Sequence, residues 1–134
     1  MPKGIFITLE GPDGSGKSTQ VENIRAYFVS NGREVVVSRE PGGTSISEKL
    51  RSIVLDNANA EMDDVTEMLI YAAARAQHVA EKIRPALERG AVVVCDRFVD
   101  SSIAYQGFGR NLGDQVSEVN RYATGGLEPD VTFF

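Results

Sequence analysis

Gly11-Pro12-Asp13-Gly14-Ser15-Gly16-Lys17-Ser18 reads G-x-x-x-x-G-K-S, the spacing of a phosphate-binding loop, and it follows the apolar run Ile5-Phe6-Ile7-Thr8-Leu9. The chemistry this supports is the holding of a polyphosphate. A strand that ends in a glycine-rich turn, with a helix starting near Lys17, aims several backbone N–H groups and a helix N-terminus at one point, where anionic oxygens are stabilised. Gly11 and Gly16 let the backbone wrap an anion closely and adopt positive φ with no Cβ in the way. Lys17 adds a mobile cation for the terminal phosphates, and Ser18 an oxygen for the magnesium ion that accompanies them. A glycine-rich turn without chemistry would need neither the strand before it nor the amphipathic segment after it.

Asp96 and Arg97 close the run Val92-Val93-Val94-Cys95 and so sit at the carboxyl end of a buried strand, the edge at which open parallel sheets bind ligands. Asp96 comes within reach of magnesium or its waters if this strand neighbours the strand of the phosphate loop, and Arg97 offers a planar donor fork for phosphate oxygens. The plainer alternative is an Asp–Arg pair that seals the strand end. Arg39-Glu40-Pro41-Gly42-Gly43-Thr44 follows another strand and brings a third loop to the same edge. Its Pro and two Gly are equally the residues of an ordinary turn. Tyr71 and Arg75, four apart on a helix, put an aromatic ring and a guanidinium on one side, an arrangement that suits a base or a surface cation–π contact. Arg51 lies on the preceding helix, and Ser101, Ser102 and Gln106 supply the hydroxyls and amide that read a base edge.

These loops must be positioned by strands and helices in alternation. Strands are expected at Ile5 to Leu9, Glu34 to Ser38, Ala91 to Cys95 and Val131 to Phe134, separated by segments with apolar residues at helical spacing. Such alternation predicts an α/β fold with a parallel sheet and helical crossovers. Val21, Ile24 and Phe28 form one face of the first helix, and Asn31-Gly32 stops it. A second helix runs from Ser45 to Leu55. A third starts at Asp64 with Val65, Met68, Leu69 and Ala72 inward, and continues or kinks through Ile83 and Pro85 to Leu87 before Gly90. Gly113 to Thr124 is a weaker helix.

The chain's 134 residues fit one domain, residues 1–134, with 42% hydrophobic content, enough to bury a core. Its formal net charge of −5 argues against a sequence-independent grip on nucleic acid, which needs a basic surface. The single cysteine, Cys95, excludes an intrachain disulfide and reads as a buried, inert thiol. His78, the only histidine, reads as a partly exposed helix residue, since a lone imidazole is a poor metal centre. With no signal-peptide pattern and no long apolar run, a cytoplasmic protein that does not engage membrane is expected.

Taken together, Glu10 to Thr19, the Arg39-Glu40-Pro41-Gly42-Gly43-Thr44 loop, Tyr71-Ala72-Ala73-Ala74-Arg75, and Asp96-Arg97-Phe98 with Ser101-Ser102 and Ala104-Tyr105-Gln106 resemble the bacterial thymidylate kinase family. The match runs in order over nearly the whole chain. The resemblance implies a three-layer P-loop NTPase of the nucleoside monophosphate kinase type that transfers the γ-phosphoryl group of ATP to dTMP with Mg²⁺, as a homodimer. It places Gly11, Pro12, Asp13, Gly14, Ser15, Gly16, Lys17, Ser18 and Thr19 around the ATP phosphates, with Ser18 and Asp96 toward the metal. Asp13 would lie near the deoxyribose 3′-hydroxyl, Arg97 and Arg51 on the dTMP phosphate, and Glu40 near sugar and phosphate. Tyr71 would stack on thymine and Arg75 would donate to its exocyclic oxygen. Ser101, Ser102 and Gln106 would complete the base site, and Tyr105 would crowd the 2′ position. Lys17, Asp13 and Arg97 would carry the catalysis. Read without the resemblance, the residues also fit another nucleotide kinase or a noncatalytic ATP-binding module.

Some members of the family carry an arginine straight after the acid of the loop, where Gly14 stands here. In members without that arginine, the charge is supplied by a lid, which here would follow Phe134. Pro129 to Phe134 reads as a fully buried strand without its following turn, so the chain is expected to be the front part of a longer protein, lacking the lid and last strand. A 134-residue piece made alone should be nearly inactive and poorly stable beside the intact protein. Equal turnover of the two in an ADP-release assay would refute this.

Overall fold

The computed structural model describes residues 3–11, 16–40, 42–98 and 114–134. Four strands, β1 (Ile5–Leu9), β2 (Val35–Arg39), β3 (Val92–Asp96) and β4 (Val131–Phe133), form a sheet among the described residues in the order β2-β3-β1-β4, with every pairing parallel. Between them lie α1 (Lys17–Ser30), α2 (Ser45–Leu55), α3 (Asp64–His78), α4 (Arg84–Glu88) and α5 (Gln115–Thr124). The expected elements are present, each within a residue or two. Gly113, the expected start of the last helix, lies outside the described residues.

The sheet is apolar on both faces because alternate residues of each strand point to opposite sides. Phe6, Val93 and Cys95 face one way and pack with Val79, Ile83 and Ala86 of the helical run that precedes β3 and with Phe98 just after it. Ile7, Leu9, Val92 and Val94 face the other way and meet Val21, Ile24 and Phe28 of α1, the face expected from their spacing. The result is helix, sheet, helix. Phe6 and Phe98 meet edge to face, with ring centroids 5.0 Å apart.

Local chemistry explains the element ends. Gly32, at φ 76°, follows Asn31 where α1 stops. The Thr44 hydroxyl accepts from the Ser47 N–H to start α2, and Ser47 Oγ donates to Ala74 O at 2.7 Å, tying α2 to α3 one residue before Arg75. α3 runs through a π-helical turn, Val79–Ile83, into α4, and the Arg84 N–H reaches back five residues to Val79 O. That widened turn accommodates Pro85, which has no N–H to donate and whose ring crowds a regular α-helix.

Three expectations are corrected. β4 is not fully buried, because it pairs with β1 alone among the described residues; Val131 and Phe133 are exposed. Val65 and Leu69 are exposed on α3; Met68 and Ala72 face inward as expected, and Arg75 is buried with them. His78 is completely buried, not partly exposed, because its ring lies between the ends of two polar side chains of the β2 edge.

Cys95 is buried in the sheet, and desolvation, reinforced by the nearby Glu40 charge, pushes its thiol well above the usual range of about 8.5. It should resist a thiol-specific reagent at pH 8 in the native protein and react fully once unfolded in guanidinium. Rapid native labelling would contradict this packing.

Candidate functional site

β1 and β3 lie side by side with Leu9 opposite Asp96, so the loops that leave them start at one edge. β2 joins that edge on the other side of β3, with Arg39 opposite Asp96 and the Glu40 N–H donating to Asp96 O at 2.9 Å. The three loops singled out by their residues are therefore brought together by strand order. Lys17, buried in the first turn of α1, places Nζ 2.8 Å from Asp96 Oδ1. An ion pair thus joins Lys17 at the start of α1 to Asp96 at the end of β3. Gly11 and Gly16 have φ of 143° and 87°, the second in the left-handed region just before α1.

Ser18 and Thr19 are exposed in the first turn of α1. Ser18 and Asp96 line a cleft of about 610 Å³ together with Ser38, Arg39, Glu48 and Lys82. A hydroxyl and a carboxylate are hard oxygen donors that suit a magnesium ion completing its shell with water and phosphate oxygens. Pro12, Asp13, Gly14, Ser15, Ser101, Ser102, Tyr105 and Gln106 lie outside the described residues.

Arg97 is the only non-glycine residue with positive φ among the described residues, at 68°. Such a conformation costs on the order of 1–3 kcal/mol and persists only where the surroundings impose it. Here the bonds on both sides of it do so. The Arg97 N–H donates to Leu9 O at 2.7 Å, and the Phe98 N–H donates to the buried carboxylate of Glu10, Oε2, at 3.0 Å. The sharp turn returns Phe98 to the core at 1% exposure while Arg97 stays half-buried at the strand edge.

Behind this edge lies a buried polar network. Glu40 is turned inward, where Oε1 accepts from Arg75 Nε and Oε2 lies 2.7 Å from His78 Nδ1. His78 Nε2 meets Ser38 Oγ at 2.6 Å, and Arg75 Nη1 donates to Asn120 Oδ1 of α5. The Asn120 amide in turn donates to Val116 O at 2.8 Å. The Arg75 guanidinium also lies over the Phe98 ring, 5.3 Å from its centroid. The aromatic partner of Arg75 is thus Phe98, while Tyr71 is half-buried one turn earlier on α3.

Arg51, partly exposed on α2, is close enough for its charge to act on Glu48. The Gly43 N–H at 3.1 Å and the Arg39 and Arg51 cations hold the Glu48 carboxyl below its usual range. Gly43 itself, at φ 96°, is required by close approach, since a Cβ there would come within 2.5 Å of His78 Nε2 and 2.8 Å of Ser38 Oγ.

Sequence reasoning missed the roles of Ser38, His78, Asn120 and Glu10. Signals existed for some of them. Ser38 is a polar residue in an apolar strand, His78 lies one helical turn after Arg75, and Asn120 falls between Val116 and Thr124 at four-residue spacing. Glu10 has no local signal, because the N–H it accepts from belongs to a residue 88 positions away.

Removing one partner of a buried charge pair strands the other. Glu40→Ala should therefore lower stability by about 3–5 kcal/mol in urea unfolding, and Gly43→Ala by about 1–3 kcal/mol through overpacking. Unchanged unfolding midpoints would show that the network is not a folded-state constraint.

The comparisons with known proteins agree with this architecture. A family model described as Thymidylate kinase matches residues 9–134. The thymidylate kinase of Lactobacillus delbrueckii subsp. bulgaricus is 58% identical over 134 residues, covering 98% of this chain and 63% of that protein. That of Clostridium novyi is 51% identical, covering all of this chain and 66% of its own length. The chain therefore spans a little under two thirds of these curated relatives. The crystal structure of thymidylate kinase from Ehrlichia chaffeensis superposes with a TM-score of 0.85 at 38% identity, covering 98% of this chain and 74% of that one. With the parallel sheet, the Lys17–Asp96 edge and the Arg97 turn already in place, a match of this extent means that the chain belongs to the thymidylate kinase family.

Proposed function

We propose that the whole protein transfers the γ-phosphoryl group of ATP to the phosphate of dTMP, giving dTDP. The observation that carries the reading is the meeting of Lys17, Asp96 and Arg97 at the carboxyl edge of β1 and β3, in a chain of this family. One guanidinium just after β3 and one ammonium in the first turn of α1 provide for two phosphates, more than a nucleotide switch with a single phosphate site requires.

The chemistry is positional and electrostatic. Two anionic groups must approach in line, and the transferred phosphoryl passes through a loose transition state whose charge needs stabilising. Lys17 lies within reach of the donor phosphates, held meanwhile by Asp96. Arg97, fixed by its left-handed turn, presents its guanidinium to the acceptor phosphate, with Arg51 approaching from α2. Ser18 and Asp96 are the residues that would hold Mg²⁺, which supplies charge neutralisation between the donor oxygens. No general base is needed, because the acceptor is already an ionised phosphate. Asp13 near the sugar, with Tyr71, Arg75, Ser101, Ser102, Tyr105 and Gln106 around the base, completes the proposed acceptor site.

A homodimer and a cytoplasmic location belong to the same proposal. In its favour, α2 and α3 pack on each other and expose Ile53, Leu55, Val65 and Leu69. Among the described residues no helix is long and apolar enough to cross a membrane.

ADP release by the whole protein with ATP and Mg²⁺, offered dTMP, dUMP, dCMP and dGMP in parallel, tests the reading. Turnover should prefer dTMP and fall by about 100-fold or more in Arg97→Ala. Turnover indifferent to every monophosphate would leave an ATP-binding module.

A further inference from the structure

Arg75 is placed in the proposed acceptor site to recognise a base, yet its guanidinium is almost entirely enclosed. Its side chain is 5% exposed, Nε is bound by Glu40 and Nη1 by Asn120, and its plane lies over Phe98. Nη2 has no hydrogen-bond partner among the described residues, so it is the nitrogen left to a ligand. A guanidinium has no internal preference for one direction in a pocket. Fixing two of its three nitrogens fixes where the third points.

The anchor of that arrangement is not Arg75's own helix turn but the Glu40 carboxylate, and Glu40 is in turn held by an imidazole. His78 is 0% exposed, its Nδ1 is 2.7 Å from Glu40 Oε2, and its other nitrogen is bound by Ser38 Oγ at 2.6 Å. With a carboxylate opposite, Nδ1 is the donor. Gly43 lies against the His78–Ser38 bond, so close that a Cβ there would come within 2.5 Å of His78 Nε2 and 2.8 Å of Ser38 Oγ. Ser38 and Glu40 lie two apart on the same chain segment, so one rigid strand end grips both sides of the ring.

We propose that His78, seated by Ser38, is a positioning residue for base recognition: it clamps Glu40, and Glu40 aims Arg75 Nη2 at the exocyclic oxygen of the acceptor pyrimidine. Neither His78 nor Glu40 touches substrate. The inference deepens the reading of Arg75 given above and rests on it. Its consequence is that selection of the base is written partly in residues that never meet it, as outer hydrogen bonds set the aim of inner ones elsewhere.

The test uses the whole protein and the variants His78→Leu, His78→Asn and Ser38→Ala. Each is assayed with dTMP and with 5-methyl-dCMP, whose amino group replaces the exocyclic oxygen while the methyl group remains. His78→Leu should lower kcat/KM for dTMP by about tenfold or more, the weight of one charge-assisted hydrogen bond. Its preference over 5-methyl-dCMP should shrink, while the KM for ATP stays the same. His78→Asn, which keeps an N–H donor near the Nδ1 position, should recover part of the preference. Ser38→Ala, a smaller change that keeps the ring, should show the same selective loss in weaker form. An equal loss with both monophosphates and with ATP, or an unchanged preference in all three variants, would overturn the inference.

A second readout does not depend on turnover. Hydrogen exchange of the Arg75 Nε–H, followed by NMR, should be protected in the wild type and accelerated in His78→Leu and Ser38→Ala. Unchanged protection would overturn the clamp even if the dTMP assignment stands. A wild type that accelerates as expected in its variants, but shows no preference for dTMP, would keep the clamp and overturn its use in selecting the base.

Discussion

A carboxylate taken out of water at the end of β2 constrains much of this structure. Glu40 is 5% exposed, and an isolated ionised carboxylate in such a place would cost far more than any single contact returns. It is tolerated because Arg75 and His78 meet its two oxygens from α3. That requirement fixes how α3 lies against the sheet, turns Arg75 away from solvent, and demands a further acceptor for the guanidinium, which α5 supplies through Asn120. α3 is thus tied to the β2 edge and to α5 by polar groups that satisfy one another.

The other side of the edge is governed by backbone geometry. Parallel pairing of β1 with β3 puts Leu9 beside Asp96, and from that register come both the Lys17–Asp96 pair and the Arg97 N–H bond to Leu9. The left-handed turn at Arg97 is strained by itself, and the Glu10 carboxylate that receives the Phe98 N–H helps to hold it. Phe98 then links the two halves. It buries its ring against Phe6 in the core and presents its face to Arg75 in the polar network.

A functional edge built this way divides its labour. Ser18 and Asp96 bring a hydroxyl and a carboxylate to the lining of the cleft. Glu10, Ser38, Glu40 and His78 make their side-chain hydrogen bonds inside the protein, to the Phe98 N–H, to Arg75 and to one another. Gly43 belongs to the second group despite having no side chain, because the space it leaves empty is filled by His78 and Ser38.

Much of this was legible in the sequence, for a definite reason. Strands and helices announce themselves through the local spacing of apolar residues, and the alternation of the two restricts the sheet to parallel pairings. The glycine-rich loop and the Asp96-Arg97 strand end carry their chemistry within a few consecutive residues, so they could be placed at one sheet edge before any pairing was known. Burial of side chains on a helix that packs on two sides was not legible. Val65 and Leu69 have the composition of a core and are exposed, whereas His78 has the composition of a surface and is enclosed. Which helical face turns inward was decided by the carboxylate waiting at β2, some 40 residues earlier in the chain. Local sequence therefore determined the elements and put Lys17, Asp96 and Arg97 at their ends, because periodicity and turn geometry act over a few residues. Tertiary structure alone decided that Glu40, His78, Ser38 and Asn120 form one network, because the cost of burying a charge is settled only by what distant segments bring to meet it.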